Sequence, residues 1–159
     1  MDPLGTVARA LHVVSIVVLV GGIAPSHVVA GTARRAADPK TALAMWALWF
    51  RIGKVSTVAL IGMVVTGVAL SATRGYGFFR PDHFWLASKQ AVLCVALVVL
   101  ATTMGPARRA ERAVRDALRE GGGLPDELRA LLRKPARSAR IVDALAFANL
   151  VLALWRPGE

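Results

Sequence analysis

The stretch VARALHVVSIVVLVGGIAPSHVVAGT, residues 7–32, decides the fold. Arg9 is its one charged residue, and the uncharged run that follows exceeds the about 20 helical residues needed to cross a bilayer's hydrocarbon core. Lipid offers no partner to backbone N–H and C=O groups, so such a run must be a helix. Pro25, late in the run, is expected to kink it. Three further runs lie downstream. Residues 46–72 form the second, with a strictly uncharged part at 55–73. Residues 84–104 form the third, interrupted only by Lys89. Residues 141–155 form a short fourth run that carries Asp143 and closes in WRPGE. The fold class expected is all-α, an integral membrane bundle of four transmembrane helices in a single domain over residues 1–159. The triplet Val28-Val29-Ala30 before Gly31 resembles a signal-peptide cleavage site. Only Arg9 is basic ahead of the run, however, and His12 lies inside it, so the first span reads as retained.

Composition agrees. Of the 159 residues, 55% are hydrophobic but only 6% aromatic, and the mean hydropathy is +0.53. The net charge of +10 is segregated: long stretches carry none of it and short ones nearly all. That pattern describes spans and loops, and it argues against a nucleic-acid partner. The single cysteine, Cys94, has no internal disulfide partner and reads as a small buried hydrophobe. No Walker-type loop, Cys-x-x-Cys pair or His-Glu-x-x-His motif is present.

The basic residues concentrate at 105–137, between the third and fourth spans. PARRAERAVRDALREGGG reads as one helix, with Pro106 in its first turn and Gly121 as its stop. LPDELRALLRKP reads as a second short helix ending before Pro135. Glu111–Arg115 and Arg112–Asp116 fall at i, i+4. The region is expected to be a solvated, salt-bridged cytoplasmic helical hairpin. Thirteen lysines and arginines fall in the two loops on this side, against four on the other. The positive-inside rule then places both termini outside a bacterial inner membrane.

Ionisable groups inside a span cost about 2.5–3.5 kcal/mol each on insertion scales. His12 and Lys89 are the sharpest candidates. The topology sets both near one depth, roughly 8 Å below the outer interface at 1.5 Å per residue. A neutral imidazole can bind haem iron or copper, or relay protons. Lys89 either snorkels past Trp85 or faces the bundle and meets an anionic group such as a haem propionate or a quinone oxygen. His27 lies 15 residues beyond His12, about 22 Å along the axis, too far to share one ion, and reads as interfacial. Arg51 or Lys54 is expected to pair with Asp143 across helices. Asn149, in mid-span, is expected to hydrogen-bond to another helix.

Several motifs together resemble known membrane proteins. ALHVVSIVVLVGG places a histidine early in the first span and a Gly-Gly later. MVVTGVAL carries Thr66-Gly67, WLASK opens the third span, MGPARR follows it, and Arg156-Pro157 ends the last. This pattern resembles a family of small bacterial predicted integral membrane proteins of unknown function. It is also similar to CopD copper-resistance domains and HemJ-type protoporphyrinogen oxidases. The HemJ likeness implies that His12 and Lys89 match a functional histidine and lysine, with haem b as cofactor and a membrane oxidoreductase activity. The aromatic, proline-rich stretch that follows the histidine in HemJ proteins is VVLVGGIAP here, and the tryptophan before Gly-Gly in CopD proteins is replaced by Leu19-Val20.

The function expected is therefore an accessory one, leaning away from an enzyme. Haem or another redox cofactor would sit near His12 and Lys89. The alternatives are a copper-handling or transport-associated module with His12 as a metal ligand, and a structural subunit without chemistry. The partners expected are the lipid bilayer, and a membrane protein or a second copy of the chain.

Overall fold

The computed structural model describes residues 3–73, 79 and 84–154. Four helices account for nearly all of them: α1 (Pro3–Arg35), α2 (Pro39–Thr73), α3 (Phe84–Arg119) and α4 (Asp126–Leu154). Arg74 and Arg80, two of the four basic residues counted opposite the hairpin, lie outside the described residues, as do Trp155 and Arg156 at the end of the fourth run.

The turn between α1 and α2 occupies only residues 36–38, so the two helices must run back on each other. Asp38 caps α2. Its carboxylate accepts the backbone N–H groups of Lys40 at 3.2 Å and Thr41 at 2.9 Å, and the Thr41 hydroxyl at 2.6 Å. Pro39 follows at the first helical position, where its missing N–H costs nothing. At the other end of the fold, α3 stops where Gly121 takes a left-handed φ of 66°. The Gly122 N–H then bonds back to the Ala117 carbonyl at 3.1 Å, the Schellman arrangement that only glycine adopts without strain. The chain reverses and α4 begins at Asp126, with Glu127 beside it, two acidic residues at the positive end of the helix dipole.

The helices thus alternate in direction. α1 packs mainly on α2, and α3 mainly on α4; the two hairpins meet through α2 with α3 and, more sparsely, α1 with α4. α1 and α3 lie across a diagonal.

α1, α2 and α3 are each long and apolar enough to cross a membrane. Their outward surface is a field of exposed valines, among them Val13, Val17, Val58, Val65, Val95 and Val98, a surface that water would not tolerate. The apolar part of α4, from Ile141 to Leu154, is about 21 Å long at 1.5 Å per residue, shorter than the about 30 Å core of a bilayer.

Three expectations about the charged end need correction. Pro106 and Pro135 do not bound separate helices; both lie inside α3 and α4. An interior proline costs about 3 kcal/mol, but Pro135 and Ala136 are buried, in register with Leu128 and Leu132. Burial of each such leucine contributes about 1.5–3 kcal/mol, which offsets the loss. Second, the hairpin is not merely solvated. Ala110, Val114, Leu128, Leu132 and Ala136 join Ala30, Ala33, Leu43, Trp46, Trp49 and Phe50 in one buried cluster, within which Trp46, Trp49 and Phe50 meet edge to face. Third, Arg112 does not pair with Asp116; its Nε donates to the Arg108 carbonyl at 3.4 Å. Arg115 does bond to Glu111.

Candidate functional site

Away from this core the bundle is hollow. A cavity of about 330 Å³ lies between the two hairpins, walled by Leu19, Met63, Leu93, Leu97 and similar side chains. Its polar groups are few: His12 from α1, Ser71 from α2, Lys89 and Gln90 from α3, and Asn149 from α4. The structure therefore brings His12 and Lys89, 77 positions apart in sequence, into one cavity from diagonal helices. The Lys89 ammonium stands 5.7 Å from the centre of the Trp85 ring.

His12 is held by α2. Its Nδ1 lies 2.9 Å from Thr66 Oγ1. The Thr66 hydroxyl has one hydrogen, and it is directed to the Gly62 carbonyl at 2.6 Å, with Met63 O at 3.2 Å. With that hydrogen on a backbone carbonyl, Thr66 Oγ1 is an acceptor toward the ring, and the tautomer that satisfies both bonds carries its proton on Nδ1. In the neutral imidazole that leaves Nε2 with its lone pair, the state of a metal-ligating histidine whose other nitrogen is fixed by a hydrogen bond. Gly67, one residue on, makes room for the ring: a Cβ there would stand 3.3 Å from His12 Cε1. Gly62 and Gly22 let the helices approach in the same way, with Ser15 and Ser56 opposite them.

Asn149 does not find the helix partner expected of it. Its Oδ1 is buried without a hydrogen bond, because the cavity stands where a partner would be. The amide is an acceptor waiting at the wall. Cys94 also departs from expectation: it lines the cavity yet is exposed.

The charged residues near the middle of the bundle pair differently from the expected pattern. Asp143 does not meet Arg51 or Lys54. His27 Nε2 reaches its Oδ2 at 3.2 Å, joining α1 to α4, the most sparsely packed of the four neighbouring helix pairs. Lys54 instead donates to Glu111 Oε1 of α3 at 2.6 Å. Its flexible stem carries the ammonium toward the basic hairpin, the snorkelling expected of a lysine near a span's end. Burial pushes the Glu111 carboxyl upward, but the bonds from Lys54 and Arg115 prevail and hold it below the ordinary glutamate value.

Among the described residues, no three His, Cys, Asp or Glu side chains gather in a way that would hold a metal ion. Sequence reading missed Thr66 as the orienting group, Gln90 and Ser71 as lining, and the amide of Asn149 as part of the site. The signal for Thr66 was present: Gly62, Thr66 and Gly67 fall at i, i+4 and i+5, one face of α2 turned toward α1.

No curated protein and no solved structure matches the chain. Residues 6–157 match one family. With its apolar helices and nearly complete coverage, the chain belongs to that family, described as predicted integral membrane protein (DUF2269).

Proposed function

We propose that the protein is an accessory subunit of the bacterial inner membrane that binds haem b in the cavity between its two hairpins. The observation that carries this reading is the fixed state of His12, with Nδ1–H donated to Thr66 and Nε2 left as a lone-pair donor at an apolar cavity. A porphyrin brings four nitrogens of its own, so the single imidazole of His12 would suffice as the ligand from the protein. A copper ion would need several side chains, and among the described residues no three His, Cys, Asp or Glu gather to hold one, so the copper-handling reading is the weaker one. Lys89, which lines the same cavity, would supply positive charge to the propionates. When bound, haem supplies one-electron chemistry; the protein's part is to ligate it through His12, orient that ring through Thr66 and keep water from the apolar face.

In this reading α4 crosses the membrane with the other three helices. The basic hairpin lies in the cytoplasm and both termini lie outside. The short α4 is accommodated by local thinning of the bilayer and by its flanking arginines.

The test is a visible spectrum of the full chain purified in mild detergent from haem-replete cells. A Soret band is expected, and His12→Ala should reduce bound haem at least fivefold at unchanged helical content. A purified protein with no Soret band sinks the proposal, as does a His12→Ala variant that retains its haem. For orientation, a cysteine introduced at Gly122 in a Cys94→Ser background should label only after permeabilisation; ready labelling in intact cells reverses the topology.

A further inference from the structure

α4 carries a second site, on the face turned away from its cavity-lining residues Ala146, Asn149, Leu150 and Ala153. Arg137, Arg140, Ile141, Ala144 and Leu145 line an open groove of about 410 Å³. They fall at i, i+3, i+4, i+7 and i+8, one face of a helix. The order along the axis is specific: two guanidiniums first, then an isoleucine and a leucine flanking an alanine that leaves a depression. Neither Arg137 nor Arg140 is bonded to a carboxylate among the described residues. This distinguishes them from Lys54, Arg115 and Arg129, which each have one. The pair stands where the charged hairpin gives way to the apolar part of α4, the level at which headgroups would lie with α4 in the membrane. Between Gly105 and Arg140 ten basic residues outnumber five acidic ones, so the surroundings favour an anion.

We propose that this groove binds one anionic phospholipid, its phosphate held by Arg137 and Arg140 and an acyl chain laid over Ile141, Ala144 and Leu145. Arginine suits this task because its planar fork meets phosphate oxygens in pairs. Basic surfaces beside membrane helices are where acidic headgroups collect. The apolar floor selects a lipid over a free phosphate or a nucleic acid, neither of which has anything to place there. The order of charge and grease along α4 matches a phospholipid entering the bilayer headgroup first, whichever side of the membrane the hairpin occupies. The inference rests on α4 entering the membrane and is independent of what fills the cavity.

The experiment uses the full chain in a mild non-ionic detergent, with dioleoyl phosphatidylglycerol or dioleoyl phosphatidylcholine added. Native mass spectrometry counts retained lipid, and thermal unfolding reads stabilisation. Phosphatidylglycerol should remain as a discrete single adduct and raise the unfolding midpoint, and phosphatidylcholine should do neither. Arg137→Gln/Arg140→Gln should weaken the adduct about tenfold. Arg133→Gln/Lys134→Gln, which removes the same charge one turn nearer the hairpin tip, should leave it intact. If the glutamine pair fails to fold, Arg137→Lys/Arg140→Lys is read instead, since it keeps the charge and removes only the fork; weaker binding supports the site and unchanged binding overturns it. Equal binding of the two lipids, equal loss in the two glutamine pairs, or displacement of the lipid by inorganic phosphate at matched concentration would each overturn it as well.

Discussion

The two ends of this bundle are built on different physics. At the hairpin end all four helices contribute to one buried cluster of eleven residues, two tryptophans among them. At the other end the buried cluster is three residues, Leu19, Ala59 and Leu60, and a cavity takes the place of a core. The packed cluster takes in the apolar stripe of the charged hairpin, and where water surrounds a helix, burying such a stripe yields a driving force. Inside lipid the surroundings are as apolar as leucine, so helices associate through close approach at small residues and a few polar contacts. Gly22, Gly62 and Gly67 on one side, and the His12–Thr66 bond, fit that account. The difference separates the tasks: the packed end holds the helices together and leaves the other end able to stay hollow.

Truncation should break that symmetry most visibly. Trp46→Ala or Leu43→Ala, both in the packed cluster, should cost about 3–5 kcal/mol in reversible unfolding in detergent. Leu93→Ala, at the cavity wall, should cost less than half as much. Equal losses at the two ends would mean that the cavity end is also a core.

Glu111→Gln tests the joint between the ends, since Glu111 ties α3 to Lys54 of α2. The loss should be about 1 kcal/mol, the upper end for a surface pair. Because the folded carboxyl titrates below its ordinary value, the unfolded chain takes up protons first on acidification. The stabilisation is then present above about pH 4.3, the ordinary glutamate value, and is lost as pH falls below it. A variant whose stability matches wild type at pH 7 yet differs from it at pH 3 contradicts this sign.

Gly67→Ala should leave stability within about 1 kcal/mol, because the helix propensity gained offsets the crowding of the His12 ring. Bound cofactor should nonetheless fall severalfold, since the ring must shift by a few tenths of an ångström. Unchanged cofactor content would show that the position of the ring does not matter. The smallest effect is expected at the cavity wall itself. Asn149→Leu removes an amide oxygen that has no partner, so stability should hold or rise by up to about 1 kcal/mol. A loss larger than that would reveal a partner for the amide.

The three long apolar helices are legible because lipid imposes one requirement, a long apolar run, and residues 7–32 meet it in full view. His12 and Lys89 stood out for the complementary reason, being costly where they lie. The packed cluster was hidden by its own neighbours. Ala110, Val114 and Ala117, then Leu128, Leu132 and Ala136, recur every three or four residues, but they are embedded among arginines, whose charge is the mark of a solvated surface. Pro106 and Pro135 misled in the same way, since local rules make them breaks and only the tertiary contacts of Pro135 explain its place inside a helix. The partner of Asp143 was beyond reach, because helix periodicity places residues on faces and depths but does not say which helix lies opposite.

The pairing of α1 with α2 and of α3 with α4 also sets an order of assembly. Each hairpin closes through neighbours in the chain, a short search that can be completed as the chain emerges. The cavity belongs to neither hairpin; its walls come from both. It does not exist until the second hairpin has docked against the first, so the cavity proposed as the binding site is the last part of the molecule to be made, and any occupant arrives at a protein whose halves are already folded.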